Sequence, residues 1–152
     1  HDRIKPALRS IGADLKVEGC AMRPGKPVWF AILPDGRAVL GLPGNPASAL
    51  VCAELFLAPV LAALQGGTED DRRRRVPLAE ALPANGPRDH YMRAILLIGS
   101  DGVEEVLPLA DQDSSLITVM ARAEILLRRP PFAPARVRGD RVEVLNATAL
   151  GG

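Results

Sequence analysis

Hydrophobic and polar positions divide the chain into two stretches with different periods. From Ile4 to Leu64 helix-like and strand-like segments alternate. From Val76 to Leu145 only short strand-like runs occur, and a hydrophilic block, Thr68 to Arg75, separates the two. Ile4, Ala7, Leu8 and Ile11 recur at helical spacing, which predicts a short helix with Asp2 as its cap, Pro6 early in it and Gly12 as its stop. Leu15 to Met22, Val28 to Leu33 and Ala38 to Leu42 read as strands. Asp35-Gly36 joins the last two in a tight hairpin, expected at the edge of a mixed sheet. A helix is predicted from about Pro46 to Ala63, with Leu50, Leu57, Val60, Leu61 and Leu64 along it, a kink at Pro59 and a stop at Gly66-Gly67. Glu54 is its one charge. An isolated buried carboxylate is costly, so Glu54 is expected to be exposed or paired.

Beyond the hydrophilic block the expected strands are Arg74 to Leu78, His90 to Ile98, Glu104 to Leu109, Glu124 to Leu127 and Arg141 to Leu145. Turns at Asn85-Gly86-Pro87, Ser100-Asp101-Gly102 and Arg138-Gly139-Asp140 separate them, and Ser115 to Ala121 reads as a short helix or turn. The fold class expected is therefore an α/β portion, residues 1–67, a linker, 68–75, and a small all-β barrel or sandwich, 76–152.

Composition changes this picture in few places. Aromatic residues are 3% of the chain, so the core must be aliphatic. The net charge of +1 excludes long-range steering toward nucleic acid. Arg72 to Arg75 lie beside Glu69, Asp70 and Asp71 and read as a solvated linker pairing its own charges. Cys20 and Cys52 make no disulfide framework and read as buried, reduced thiols of a cytoplasmic protein. Glu54 and Pro59 interrupt the long apolar segment, which reads as a buried helix of a soluble protein rather than a membrane span. The chain opens at His1 inside an apparent helix with no strand before it, which leads to the expectation of a piece of a longer protein.

Two turns carry candidate chemistry. Gly41-Leu42-Pro43-Gly44-Asn45-Pro46-Ala47-Ser48 links a strand to a helix: Asn45 is the natural cap, Pro46 suits the first helical position, and Gly44 permits an unusual backbone. Such a turn is either a generic α/β connection or a cradle of backbone amides for an anion. Ser48 lacks the following glycine and the acid–base partner of a nucleophile elbow. Arg23-Pro24-Gly25-Lys26-Pro27 is either a solvated turn or a two-cation clamp for an oxyanion. His90 has no His/Cys cluster around it in sequence, so a metal role is disfavoured. Arg93, at a strand start, faces solvent on the plain reading; otherwise it binds an anion together with the Gln112 to Ser115 turn, whose plain reading is a helix cap.

Taken together these residues resemble the MoeA family, the molybdopterin molybdenumtransferases, to which the C-terminal region of gephyrin also belongs. Gly41 to Ser48 resembles the family's Gly-Leu-Pro-Gly-Asn-Pro-Val-Ser signature, with Ala47 for Val. Arg23 to Pro27 resembles its Lys-Pro-Gly-Lys-Pro loop, and His1-Asp2 the end of its glycine-rich segment. His90 to Ala94 resembles its aromatic-x-Arg-Ala strand, and Gln112 to Ser115 its Gln-Gly-Ser turn, with Asp113 for Gly. The resemblance implies a MogA-like molybdopterin-binding α/β portion followed by the family's C-terminal β domain. It implies insertion of molybdate into adenylylated molybdopterin, giving molybdenum cofactor and AMP, with Mg2+. Asp2, Arg23 and Lys26 would be catalytic, with Asp2 a metal ligand. Gly44, Asn45, Pro46, Ser48, Arg93 and Ser114 would bind the cofactor. A second family lysine falls on Gly19 here, so that cation is missing. A homodimer, and a MogA-type adenylyltransferase as partner, are implied for the full-length protein, and little or no transferase activity is expected of this chain alone. The alternative reading is a non-catalytic molybdopterin-binding or scaffolding module.

Overall fold

The computed structural model describes residues 3–67, 72–110 and 125–146. Helix α1, Ile4–Ser10, opens the described chain; its N-cap is Arg3, which makes no side-chain cap bond, and Asp2 lies outside the described residues. Much of the predicted apolar face of α1 is exposed, Ile4 and Ile11 both about three-fifths so, while Leu8 is half-buried. Strands β1, Asp14–Val17, β3, Trp29–Ile32, and β4, Ala38–Gly41, form a three-stranded sheet in the order β1-β3-β4. Both pairings are antiparallel, so the mixed sheet expected around the hairpin is replaced, in this part of the described chain, by an antiparallel one. Gly41 is required by its partner: Trp29 lies opposite it, and a Cβ there would fall 1.9 Å from the indole.

The single strand expected over Leu15 to Met22 is broken. After β1 the chain leaves the first sheet, and Met22–Arg23, strand β2, pairs in parallel with a strand of the second half. The break has a local cause: the Cys20 N–H donates to the Lys26 carbonyl, so the chain closes on its own loop instead of continuing the ladder.

The long helix is three consecutive pieces. Helix α2 is Pro46–Cys52, a wide π-helical turn covers Ala53–Leu57, and helix α3 is Ala58–Leu64. Pro59 stands in the first turn of α3, where its missing N–H costs least, and the widened turn just before it absorbs the misfit expected there. Glu54 is buried and paired: its carboxylate accepts from Arg72 at 2.7 Å, and its carbonyl accepts from the same guanidinium at 3.0 Å. The large apolar side chains along the helix are not the ones it buries most deeply. Ala47, Ser48, Val51, Cys52 and Glu54 are buried, while Leu50, Leu61 and Leu64 are exposed. By length and composition alone Pro46–Leu64 could cross a membrane; its ion-paired Glu54 and its seat on a sheet fit a docked helix instead.

The second half is a small barrel. Its strands are β5, Arg73–Pro77, β6, Asp89–Ile98, β7, Glu104–Pro108, β8, Ile125–Arg129, and β9, Arg141–Asn146. The ladder runs β7-β6-β8-β9-β5. It closes where Leu78 bridges Val106 and the Ala79 N–H donates to the Val106 carbonyl at 2.9 Å. Inside lie Val76, Leu78, Ala94, Val106, Ile125, Leu127, Val142 and Val144, the aliphatic core the composition demands. Strand β5 begins within the stretch read as a linker. Three of its neighbouring arginines pair with distant carboxylates, Arg72 with Glu54, Arg73 with Glu143 and Arg74 with Glu104, rather than serving as a solvated charge run. A second cluster, Ala47, Val51, Leu126 and Leu145, seats α2 on the outer face of β8 and β9. The chain is thus an α/β portion followed by a β domain, joined by the β2–β6 ladder and this helix-on-sheet contact.

Candidate anion-binding site

Where the halves meet there is a cavity of about 610 Å³. It is lined by the Arg23 to Pro27 loop and Ser48 from the first half and by Arg88, His90, Tyr91 and Arg93 from the second. The β2–β6 ladder sets this geometry by placing Arg23 directly beside His90 in register. Gly25 holds the loop against α2: it has φ +115°, and a Cβ there would come within 2.9 Å of both the Cys52 and Met22 sulfurs. The Arg23–Pro24 bond is cis.

On β6 alternate side chains take opposite faces. Met92, Ala94 and Leu96 join the barrel core, and Tyr91 packs on the cluster beneath α2. Arg93 shares the Tyr91 face and is only 4% exposed, contrary to the solvent-facing reading of a strand-start arginine. Period two would have found this: the apolar residues at 92, 94 and 96 leave 93 on the face that the helix covers.

Arg23, Lys26, Arg88 and Arg93 line the cavity, and among the described residues no carboxylate does. Asp89, next to His90, is held by Arg128 through contacts of 2.9 and 3.1 Å. Arg128 also reaches Glu143 at 3.2 Å, and these hydrogen bonds push its pKa further up. Burial, and then the charges of Arg23, Arg129, Arg88 and Arg93, lower the His90 pKa to about 4, so its imidazole is neutral at pH 7. Arg129 is buried behind His90 and donates to the Pro83 and Pro134 carbonyls at 3.0 and 2.7 Å. Burial pulls its pKa down, but the carbonyls receive the charge. Convergent guanidinium and ammonium groups in a partly enclosed site suit a multiply charged oxyanion.

The predicted site residues are thus divided. Arg23, Lys26, Ser48 and Arg93 come together. Gly44 lines a different, apolar cavity of about 500 Å³ beside Trp29, which meets the first at Pro27. Asn45 caps α2, its Oδ1 accepting from the Ser48 N–H at 3.1 Å, and Pro46 is the first helical residue; neither lines the cationic cavity. Asp2 and Ser114 lie outside the described residues. Arg88 was not singled out by the sequence, because it precedes the strand and no local pattern marks it. Among the described residues no three His, Cys, Asp or Glu side chains gather as a metal site. The donor set around the cavity is cationic, so it does not fit Mg2+.

Residues 75–146 match the family model of the MoeA C-terminal region (domain IV), and residues 1–63 match that of a probable molybdopterin binding domain. Among curated relatives, the molybdopterin molybdenumtransferase of Synechococcus elongatus is 40% identical over 82 residues, covering 53% of this chain and 20% of that protein. The Staphylococcus aureus molybdopterin molybdenumtransferase is 25% identical over 145 residues, covering 95% of this chain and 34% of that protein. Among solved structures, a molybdopterin biosynthesis MoeA protein from Pyrococcus horikoshii superposes with a TM-score of 0.77 at 24% identity, covering 99% of this chain and 35% of that one. The chain therefore spans about a third or less of these relatives. The two models lie end to end along it, with a structural counterpart of the same fold across nearly its whole length, and together they support placing the chain in the MoeA family.

Proposed function

We propose that this chain serves molybdenum cofactor biosynthesis by supplying the oxyanion-binding wall of a molybdopterin molybdenumtransferase. The reaction would insert molybdate into adenylylated molybdopterin and release AMP. The observation that carries this reading is the cavity lined by Arg23, Lys26, Arg88 and Arg93 with no described carboxylate. Substrate and product of that reaction are both polyanions. Arg23 and Lys26, on a loop seated against α2, and Arg88 and Arg93, from the barrel, would offset charge on phosphate or molybdate oxygens from two sides. Neutral His90 and Ser48 would add uncharged hydrogen bonds. The resemblance implies Mg2+, but the described residues offer it no ligand set, and no step is assigned to it. A cytoplasmic homodimer, fed by a MogA-type adenylyltransferase, belongs to the same proposal for the whole protein.

Two measurements on the purified 152-residue chain test the reading. Molybdate should bind, and Arg93→Ala should weaken binding by about tenfold to a hundredfold, as loss of a charge-assisted hydrogen bond does. Little or no molybdenum insertion is expected from this chain alone, because it spans only about a third of the length of its relatives. Failure of molybdate to bind overturns the cavity assignment. Insertion at the rate of a full-length relative overturns the assignment of a contributing wall. Binding without insertion, if it persists when the remaining family domains are supplied, would favour the non-catalytic binding module.

A further inference from the structure

Arg88 lines the anion cavity, yet it stands just before β6 rather than inside it. Its main chain is fixed by the peptide it shares with Asp89, which is held on both sides. The Asp89 N–H donates to the Ala21 carbonyl at 3.0 Å, one residue ahead of β2. The Arg88 carbonyl accepts from the Asn85 side-chain amide at 2.9 Å. The same Asn85 Nδ2 donates to the Arg129 and Pro130 carbonyls, both at 2.8 Å, where β8 ends. A side-chain amide nitrogen carries two hydrogens, so the three carbonyls share them, and acceptors converging in this way demand the nitrogen of the amide rather than its oxygen. Asn85 is anchored in turn. Its backbone N–H donates to the Ala133 carbonyl at 2.8 Å, and the Phe132 N–H donates to the Gly86 carbonyl at 2.9 Å. The buried Arg129 guanidinium reaches back to the Pro83 and Pro134 carbonyls. Residues 83–88 and 129–134 are thus stitched into one corner of the barrel. These bonds hold Phe132 at φ +57°, a conformation costly for a residue with a side chain, as only an over-determined corner can. Asn85 itself stands outside the cavity lining.

We propose that Asn85 is a positioning residue of the anion cavity: it fixes the Arg88 main chain between the end of β8 and β2, and so sets where the Arg88 guanidinium meets a bound oxyanion. Asn85 acts through Arg88 and touches no ligand. The proposal rests on the anion-cavity reading above and adds to it a residue that neither the motifs nor the lining of the cavity contains. A charge-assisted hydrogen bond depends on direction as well as charge. With the Arg88 carbonyl released, the cation remains, but its main chain must be ordered anew each time an anion binds, and that ordering lowers affinity.

A double-mutant cycle separates positioning from folding. Molybdate binding to the 152-residue chain is measured by isothermal titration calorimetry, with a thermal melt of each variant alongside. Arg88→Ala should weaken molybdate binding about tenfold, as loss of one charge-assisted hydrogen bond does. Asn85→Ala should weaken it about threefold to tenfold in the parent chain but by less than about twofold in the Arg88→Ala background, because the guanidinium it positions is then gone. The loss of thermal stability from Asn85→Ala should be the same in both backgrounds. Asn85→Ser, which keeps one donor, should fall between parent and Asn85→Ala, and it carries the same cycle if Asn85→Ala does not fold. An equal loss of affinity with and without Arg88 overturns the proposal and makes Asn85 a structural residue alone. Unchanged molybdate affinity in Arg88→Ala or in the Asn85 variants also overturns it, and leaves the anion cavity standing on its other cations. Failure of the parent chain to bind molybdate overturns the cavity reading and this proposal together.

Discussion

At the scale of single residues, what could be read from the sequence was chemical type, and what could not was the company each residue keeps. Arg23 and Lys26 announce themselves because two prolines and a glycine fix a loop between two cations. His90 carries no such mark: its depressed pKa comes first from burial and then from Arg23 on β2 and Arg129 on β8, which no local window contains, together with Arg88 and Arg93 near it in sequence. That depression has a consequence for stability. The folded-state pKa, about 4, lies below the ordinary histidine value of 6.5. Above pH 6.5 both folded and unfolded chains carry a neutral ring and His90 contributes no pH dependence. As pH falls from 6.5 toward 4 the unfolded chain takes up the proton first, so stability is lost across that window and the loss is complete below it. Discounted for partial solvent exposure, the penalty is on the order of 1–2 kcal/mol. Thermal melts of the chain at pH 7 and pH 4.5 in chloride buffer should therefore differ by less in His90→Asn than in the parent chain; equal pH dependence in the two would count against a buried, field-depressed imidazole.

At the scale of elements, periodicity located nearly every strand of the barrel to within a residue or two, because a closed β-structure with an aliphatic interior imposes a strict alternation. The same reasoning located the long helix but did not say which of its faces is buried. Leu50, Leu61 and Leu64 are larger and more apolar than Ala47 and Cys52, yet the small residues are buried, since α2 lies close on β8 and β9 where only small side chains fit. The helix also holds a buried ion pair: the sequence left Glu54 either exposed or paired and could not name a partner. Arg72, at the start of β5, satisfies both the carboxylate and the carbonyl of Glu54 at the π-helical turn. Arg72→Ala would leave the Glu54 carboxylate buried without that guanidinium, and the cost should be about 3–5 kcal/mol by urea unfolding. Replacing both, as Glu54→Leu with Arg72→Met, should recover most of it, because the desolvation of two charges is then removed with their attraction. If the double variant proves no more stable than Arg72→Ala, the pair owes its effect to backbone contacts of the guanidinium rather than to burial of charge.

At the scale of the whole molecule, the cationic cavity belongs to neither half. Arg23, Lys26 and Ser48 come from the first; Arg88, His90 and Arg93 come from the barrel; the β2–β6 ladder and the seat of α2 on β8 and β9 hold them in register. This is why motifs could nominate residues but not assemble them: Gly44, Asn45 and Pro46 share the signature stretch with Ser48, yet the turn sends Gly44 to the apolar cavity and Ser48 to the charged one. A site made by docking should respond to changes in the seam that touch none of its charges. Ala47 is 1% exposed and packs with Leu126 and Leu145. Ala47→Leu forces extra carbons between helix and sheet, at a cost of about 1–3 kcal/mol for overpacking. It must also shift Ser48 and, through Gly25 against Cys52, the loop that carries Arg23 and Lys26. Molybdate affinity should then fall severalfold while the barrel interior, built from Val76, Leu78, Ile125 and Val144, keeps its slow amide exchange. The comparison that decides is Leu127→Ala, which opens the barrel interior instead of the seam. If it weakens molybdate binding as much as Ala47→Leu at matched loss of stability, affinity follows global stability and the docking geometry has no separate role. If only the seam variant does so, register between the halves is what sets the strength of the site.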